Sequence, residues 1–276
     1  MSIFSTIIQN INIWGVFVFL FGMVGGSFLN CLIYRSATQQ SVWRGRSFCP
    51  HCHHLLKWRD LIPVFSFLSL KGRCRYCGQR ISWQYPLVEI FTGLIFLLIF
   101  NWQFSSSDLF SFEGWLKLLY FWLMAGLLIV IFVADLRYYL IPDQIIYPAV
   151  VLGLFYPLVA NWGWEKADFL LFILSASAAA GFFALLYLFS RGRWLGLADI
   201  KLVFLIGLLL GWPKILIGLF LAFFLGALVG SGLIVAGRKK LKSEIPFAPF
   251  LIIGLILALI WGEALLAWYQ SFFMLK

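Results

Sequence analysis

The chain has 276 residues, of which 63% are hydrophobic and only 12% are charged. A soluble domain is about half apolar and about one quarter charged, so this composition excludes an ordinary soluble protein. The formal net charge of +10 could indicate nucleic-acid binding, but the basic residues lie in the short segments between apolar runs. We therefore expect no nucleic-acid partner.

The apolar runs predict an all-α polytopic membrane protein with about eight transmembrane helices. Their predicted bounds are 12–33, 86–101, 115–134, 144–160, 168–189, 200–211, 215–236 and 248–269. The chain then divides into a first transmembrane helix (1–34), a polar segment (35–85) and a membrane core (86–276). Residues 1–34 contain no Lys or Arg, so we expect this first span to be retained rather than cleaved as a signal peptide. Three glycines in the span predict close helix packing: Gly22, Gly25 and Gly26.

Lys and Arg are distributed unequally between alternate loops. The loops 35–80, 135–143, 190–201 and 237–247 hold 17 of the 21 basic residues, and the other loops and the C-terminus hold 4. Basic residues collect on the cytoplasmic side of a membrane protein, so this distribution places the first set of loops in the cytoplasm and both termini outside.

The polar segment (35–85), which is also called the zinc segment below, contains two CxxC pairs separated by 21 residues: Cys49, Cys52, Cys74 and Cys77. This spacing predicts a small zinc-binding loop domain with four thiolate ligands and no open coordination position, which is a structural metal site. Thiols stay reduced in the cytoplasm, so disulfides are not expected. A redox pair and a set of unliganded thiols are the alternatives. The histidines of the chain lie in or beside the first pair and are alternative ligands: His51, His53 and His54.

Two carboxylates lie at the same predicted membrane edge. Asp135 ends the third span, where an acid opposes the helix dipole, and Asp199 opens the sixth span after Gly196, which allows a tight backbone. Two carboxyls close together in a poorly hydrated place share one proton, as in aspartic proteases. From the sequence alone, a solvated loop acid remains the alternative for Asp135 and a helix N-cap the alternative for Asp199.

Two further charged residues have supporting positions. Asp143 follows Pro142, and we expect it to begin the next helix, where an acid favours the helix dipole. Lys201 lies two residues after Asp199 and would not share a helical face with it, so we expect Lys201 to contact lipid headgroups.

Taken together, these motifs resemble a type IV prepilin peptidase, the bifunctional leader peptidase and N-methyltransferase of type IV pilus and type II secretion systems. The resemblance covers nearly the whole chain. It is carried, in chain order, by GGSFLNCLIYR (25–35), the two CxxC pairs, QYPLVEIFTG (84–93), ADLRYYLIPD (134–143), GLADIKL (196–202) and IPFAPFL (245–251).

The resemblance implies site residues as well as a fold. The family belongs to the GxGD class of intramembrane aspartyl proteases, and by position its two catalytic aspartates are Asp135 and Asp199. Supporting roles then fall to Asp143, Gly196 and Lys201. Ala198 stands in the place of the second GxGD glycine. Because alanine restricts positive φ angles, we expect an ordinary backbone conformation at this residue.

The resemblance also implies the reaction. The family cuts the basic leader of prepilins or pseudopilins after a glycine at the cytoplasmic face of the bacterial inner membrane. It then N-methylates the new N-terminus with S-adenosylmethionine. The residues that bind this donor stay unknown, with Arg35, Glu89 and the zinc segment as candidate neighbours. The particular substrate, the system it serves and the oligomeric state are not predicted.

Three other functions stay open at this stage. One is a peptidase without methyl transfer. Another, in a different class, is a membrane transporter coupled to protons or metal ions, although both acids lie at a membrane edge rather than at mid-bilayer. The third is a non-enzymatic scaffold that docks partners through the zinc segment, which leaves the two acids unexplained.

Overall fold

The structure is a computed structural model of the chain and describes residues 13–41, 45–103, 111–156, 159, 166–240 and 243–274. Within these ranges the regular secondary structure is helical, apart from two isolated β-bridges in the polar segment. The helices are α1 (Ile13–Ala37), a 3-10 turn (Trp58–Asp60), α2 (Phe65–Ser69), α3 (Gln84–Gln103), α4 (Phe112–Tyr138), α5 (Asp143–Leu154), α6 (Lys166–Ser190), α7 (Leu197–Leu210), α8 (Lys214–Val235) and α9 (Ala248–Met274). The predicted all-α fold is confirmed.

Six helices in the described part of the chain are long and apolar enough to cross a membrane: α1, α3, α4, α6, α8 and α9. Helices α5 and α7 correspond to the fourth and sixth predicted spans, but they have only 12 and 14 residues. A span needs about 20 residues, so neither crosses a bilayer alone. The chain is a multi-pass membrane protein, and each of the eight predicted apolar segments contains a helix within the described residues.

The chain forms two compact units, 1–130 and 131–276, and the boundary lies within α4. The first unit holds α1, the polar segment and α3, and the second holds the C-terminal end of α4 and helices α5 to α9. The division of the chain at residues 34 and 85 stays a prediction.

Glycines hold α1 and α3 together in the first unit. A Cβ atom on Gly22 would lie 2.7 Å from the Cα of Gly93, and one on Gly26 would lie 2.7 Å from the Cα of Glu89. Backbone atoms of the two helices therefore touch, as small residues in membrane helices allow. A Cβ on Gly25 would meet only a phenylalanine ring at 3.8 Å, which is an ordinary contact. The close packing predicted from these glycines is confirmed at Gly22 and Gly26 and is absent at Gly25.

Helix α7 lies at the centre of the second unit and contacts α5, α6, α8 and α9. Every residue from Leu205 to Leu210 is buried. A helix that is apolar on all sides and buried on all sides is covered by protein rather than by lipid. Gly207 lies against the backbone of Ala176 in α6, where a Cβ atom would overlap it. This burial explains why α7 does not need the length of a membrane span.

We predict opposite outcomes for two neighbouring glycines of α1. Gly26→Ala should lower the free energy of unfolding by about 1–3 kcal/mol, because the added methyl group collides with the α3 backbone. Gly25→Ala is the matched control and should be neutral or slightly stabilising. Thermal unfolding of the purified proteins in one detergent compares them, and equal melting temperatures would contradict the backbone contact.

Candidate active site and metal centre

Asp135 lies in the last turn of α4 and is buried, with 7% of its surface exposed. Its Oδ2 accepts a hydrogen bond of 3.0 Å from the backbone N–H of Ala248, the first residue of α9. The N-terminus of a helix carries a partial positive charge that stabilises an anion. The field of α9 thus offsets the unfavourable field of the helix in which Asp135 lies. This burial excludes a solvated loop acid.

Asp199 is the third residue of α7, and its Oδ2 accepts a hydrogen bond of 2.9 Å from the N–H of Gly196. The N-cap of α7 is Gly196 rather than Asp199. The tight backbone expected at Gly196 is wrong, since its angles (φ −83°, ψ 152°) are open to any residue. A Cβ there would lie 3.4 Å from Asp199 Oδ2, so the glycine leaves space beside the carboxylate. Ala198 is helical, as its expected ordinary conformation requires.

Asp135 and Asp199 lie in the same compact unit of the fold and have matching hydrogen bonds. Each carboxyl accepts one backbone hydrogen bond, and both bonds go to Oδ2. Among the described residues, none donates a hydrogen bond to Oδ1 of either acid. Each acid therefore retains one oxygen that can bind water or a substrate, and Asp199 is partly exposed.

Asp143 and Lys201 form an ion pair that joins α5 to α7. Lys201 Nζ lies 2.5 Å from Asp143 Oδ1 and 4.6 Å from the centre of the Tyr147 ring. Asp143 begins α5, as expected from the preceding proline. Lys201 thus has protein partners that the sequence did not predict, and its expected contact with lipid headgroups stays a prediction.

An apolar groove opens beside Asp135. The groove is lined by residues that flank Asp135 in sequence, by α8, by the start of α9 and by the segment before α9. The lining residues are Phe132, Leu136, Tyr139, Val229, Leu233, Lys239, Ile245, Pro246, Pro249, Phe250 and Ile253. Lys239 Nζ donates to the carbonyl oxygen of Glu244 (2.9 Å) and lies 3.5 Å from the hydroxyl of Tyr139. The groove thus has apolar walls and one cationic residue.

The four predicted ligand sulfurs form a compact cluster. The Sγ atoms of Cys49, Cys52, Cys74 and Cys77 all lie within 4.8 Å of one another, and those of Cys49 and Cys77 are 4.0 Å apart. Four thiolates around a tetrahedral zinc ion are about 3.8 Å apart, because each Zn–S bond is about 2.3 Å long. The donor set and its spacing therefore fit zinc.

The two CxxC pairs adopt the same turn conformation, and each pair with its turn is called a knuckle below. The N–H of His53 donates to the carbonyl of Cys49, and the N–H of Gly78 donates to the carbonyl of Cys74, both at 2.9 Å. His53 and Gly78 follow the second cysteine of each pair, and both have positive φ angles, of 56° and 70°. This conformation is easy for glycine and costly for histidine. The repeated turn directs both pairs of thiols to one point.

The histidines are not needed as ligands. The ring of His53 stacks on Phe48 at 5.7 Å, and the ring of His54 stacks on Tyr76 at 3.7 Å. In the described ranges, the metal-ligand cluster of the polar segment contains cysteines alone. The histidines instead contribute aromatic contacts to a segment that is too small for a large apolar core.

The thiols influence one another electrostatically. Burial raises the pKa of Cys74, but hydrogen bonds from the backbone N–H groups of Tyr76 and Cys77 outweigh it and lower the pKa to about 7. At Cys77 a hydrogen bond from Gln79 N–H lowers the pKa, whereas burial and the other thiols raise it, to about 12. One thiolate is therefore stabilised and further thiolates are opposed. A divalent cation would remove this opposition.

Asp60 joins the second CxxC pair to the chain before it, although the sequence did not single it out. Its carboxylate accepts hydrogen bonds from Arg75 Nε (2.8 Å), Lys57 N (3.1 Å) and the Tyr76 hydroxyl (3.0 Å). Burial raises the pKa of Asp60, but these three bonds outweigh it, so the pKa lies below its ordinary value. A signal was present, because Asp60 is the one acid between Arg35 and Glu89 in the sequence.

The two candidate neighbours of the methyl donor have structural contacts instead. Glu89 is buried, and its Oε2 accepts a hydrogen bond of 2.7 Å from Val64 N. Arg35 is also buried and donates to the carbonyl of Arg46 at 3.1 Å. Both residues attach the polar segment to the helices of the first unit. These contacts do not identify a site for S-adenosylmethionine.

Comparison with known proteins gives the class of this fold and site. Residues 20–104 match the bacterial peptidase A24 N-terminal domain, and residues 122–231 match the type IV leader peptidase family. The prepilin leader peptidase/N-methyltransferase of Bacillus subtilis strain 168 is 32% identical, over 91% of this chain and 96% of the relative. The enzyme of the same name from Aeromonas hydrophila is 32% identical, over 93% of this chain and 94% of the relative. The one from Legionella pneumophila is 30% identical, over 92% of this chain and 94% of the relative. No solved structure matches.

The chain belongs to the type IV leader peptidase family. The two family matches cover most of each unit, and the family resemblance of the sequence motifs is confirmed.

We predict that the pair of Asp143 and Lys201 contributes little to stability. Asp143 has 61% of its side chain exposed, and exposed ion pairs contribute between 0 and about 1 kcal/mol. Asp143→Asn and Lys201→Met should each lower the free energy of unfolding by less than about 1 kcal/mol, and the double variant should not be worse than the sum. A double-mutant cycle by thermal unfolding measures this, and a coupling above 2 kcal/mol would show a structural role that the exposure excludes.

Proposed function

We propose that this protein is a membrane-embedded aspartyl endopeptidase that removes the basic leader of type IV prepilins or pseudopilins after a glycine and N-methylates the new N-terminus. Asp135 and Asp199 are its catalytic residues. The observation that carries the assignment is the matched geometry of these acids, each with Oδ2 held by a backbone N–H and Oδ1 unbonded among the described residues. The family membership of the chain supports the same reaction.

The two acids divide the work of peptide hydrolysis. The ionised acid takes a proton from a water molecule as the water attacks the scissile carbonyl carbon. The protonated acid donates a hydrogen bond to the carbonyl oxygen, which becomes negative in the tetrahedral intermediate. That acid then gives its proton to the leaving amine. Because the backbone N–H groups fix the Oδ2 atoms, both Oδ1 atoms can point to the substrate without reorganisation.

The groove beside Asp135 suits the apolar part of the substrate. Its walls come from the residues that flank Asp135 and from the segment that donates the Ala248 N–H. An apolar helix laid in this groove places its first peptide bonds next to the acids. The basic leader would remain in the cytoplasm, so we infer an active site at the cytoplasmic face of the bacterial inner membrane, in agreement with the distribution of Lys and Arg.

We also propose that Cys49, Cys52, Cys74 and Cys77 hold a structural zinc ion. When bound, a four-thiolate zinc ion supplies folding energy and no reactive position, because its coordination shell is closed. The four cysteines would hold the two knuckles together, while Asp60 fixes the turn between them.

The methyl donor is implied by the names of the relatives, and we assign no residues to it. The groove beside Asp135 does not fit this donor. S-adenosylmethionine carries a positive sulfonium next to its reactive methyl group, whereas the described residues that line the groove include Lys239 and no carboxylate. Methyl transfer should therefore use other residues.

The comparisons do not support the transporter alternative, since the similar proteins carry peptidase and methyltransferase names. Both functions in those names are proposed here for this chain. A peptidase without methyl transfer would differ in one observable, because it would leave the new N-terminus without the mass of the added methyl group.

The acid pair predicts a sharp mutational pattern. Asp135→Asn or Asp199→Asn alone should abolish cleavage of a purified prepilin, because an amide is neither a general base nor a proton donor of the required acidity. The double variant should be no worse than either single one, since the two acids act as a unit. Mass spectrometry of the substrate measures cleavage and methylation together.

Asp143→Asn is the control for this experiment and should retain most activity, because Asp143 is exposed and paired with Lys201. A pre-cleaved pilin gives a second control, and its methylation should survive both active-site changes. Full cleavage by Asp135→Asn together with no cleavage by Asp143→Asn would reassign the partner of Asp199.

Zinc binding predicts a stoichiometry and a ligand set. The purified protein should contain about one zinc ion per chain by elemental analysis. Cys74→Ser should lose the metal and lower the yield of folded protein, whereas His54→Phe should keep both, because the ring of His54 only stacks on Tyr76. Loss of zinc in the histidine variant with retention in the cysteine variant would overturn the four-cysteine site.

A further inference from the structure

The zinc segment exposes more apolar surface than a small water-soluble module tolerates. Trp58 is 70% exposed, Phe65 65%, Leu68 63% and Trp83 68%. The α2 helix shows that this exposure has a direction, because Phe67 is buried between Phe65 and Leu68 and packs on Trp83 at 4.9 Å. Large exposed apolar side chains that collect in one short segment mark an interaction site.

We propose that the segment 58–70 is an interfacial membrane anchor that inserts its outward apolar face into the headgroup and upper acyl region of the bilayer. The segment contains the 3-10 turn and α2, which contact each other. Its partner is the lipid surface of the membrane that the chain already spans, with anionic headgroups around it. This anchor holds the zinc segment flat on the membrane. The inference does not depend on the assignment of the catalytic acids.

The depth of the segment follows from one buried hydrogen bond. The N–H of Val64, in the middle of the segment, donates to Glu89 Oε2 at 2.7 Å. Glu89 is the sixth residue of α3, a helix that is long and apolar enough to span the membrane from its first residue, Gln84. Each helical residue advances about 1.5 Å, so Glu89 lies about 7 Å along the span. The residues next to Val64 are therefore held at the level of the first turns of a membrane helix.

The backbone at Val64 supports an imposed position. Its φ of 59° and ψ of −47° are unfavourable for a β-branched residue and are held by the surrounding structure. Pro63 precedes it, and the chain reverses at this point before α2 begins at Phe65. A short apolar segment that turns back at this depth has the length expected of an interfacial or re-entrant segment.

The charges at both ends of the segment fit an anionic surface. Lys57 and Arg59 precede the apolar residues, and Lys71 and Arg73 follow them. The acid within the segment, Asp60, is bonded to Arg75 and does not oppose this charge. The Arg59 guanidinium lies 5.2 Å from the centre of the Trp58 ring, and tryptophan is enriched at the membrane–water boundary.

The same charges disfavour the other obvious occupant of the face, a basic prepilin leader. A basic peptide is repelled by four cations around the face, whereas anionic lipid gains about 1 kcal/mol for each basic residue near the surface. The apolar face and the basic residues at its ends therefore both favour lipid as the partner.

Spin-label depth measurements on the full-length protein in lipid nanodiscs test the proposal. A genetically encoded nitroxide amino acid replaces Phe65 or Leu68 in separate variants, and the control label replaces Gln79, which is exposed on the second knuckle. In discs with anionic lipid, accessibility to an aqueous nickel chelate should be at least fivefold lower at 65 and 68 than at 79. Accessibility to oxygen should be higher at 65 and 68. Equal nickel accessibility at the three sites would overturn the anchor.

Deuterium exchange gives a second measurement that does not depend on the label. Phe65→Ser with Leu68→Ser should raise the exchange of amides 61–70 at least tenfold in nanodiscs, while the matched variant Phe65→Leu with Leu68→Ile should not. The zinc content of both variants reports that the knuckles are folded. Unchanged exchange in the serine variant would contradict lipid insertion.

A synthetic basic leader peptide separates the two occupants. Its addition should leave nickel accessibility at residue 68 unchanged. Protection of residue 68 that appears only with the peptide would show that the face binds substrate instead of lipid, and would overturn the proposal.

Discussion

The hydrogen bond from Ala248 N to the carboxylate of Asp135 is the contact on which the second unit depends. A buried acid at the C-terminal end of an apolar helix is unfavourable both for desolvation and for the helix dipole. The start of α9 supplies what the acid lacks, a free backbone donor at a positive helix end. Pro246 and Pro249 have no N–H group, so they leave Phe247 and Ala248 as the donors between them. The two prolines thereby select which amides face Asp135.

The second acid lies in α7, a short helix at the centre of the second unit. The buried part of α7, from Leu205 to Leu210, is packed among the helices α5, α6, α8 and α9, with Gly207 against the backbone of α6. The first turn of α7 stays partly exposed, so Asp199 is accessible while its helix is held in place. Asp199 Oδ2 accepts a hydrogen bond from the N–H of Gly196, which stabilises the start of α7, and no described residue donates to its Oδ1. Helix stability and catalytic geometry are thus compatible at this residue.

The sequence was a good guide to features that depend on neighbouring residues and a poor guide to features that join distant ones. The apolar runs predicted the eight longer helices, and the CxxC spacing predicted the sulfur cluster. Both predictions rest on local features, since apolar runs and knuckle turns each depend on neighbouring residues. The bond between Asp135 and Ala248 joins residues 113 apart, and the pair of Lys201 and Asp143 joins residues 58 apart. No periodicity encodes such contacts. Helical spacing correctly separated Lys201 from Asp199, but it could not reveal the partner in α5.

The chemistry of the cleaved product separates the two proposed activities. Hydrolysis leaves a new amine next to two carboxyls, and a protonated amine in that position pairs with the ionised acid. Methyl transfer needs the opposite state, because the amine attacks the donor's methyl carbon with an unprotonated lone pair. A site rich in carboxylate holds the amine as the ammonium ion and so suppresses this attack. As the proposed catalytic pair, Asp135 and Asp199 would suit the first reaction and oppose the second, so we expect the new N-terminus to leave the acids before it is methylated.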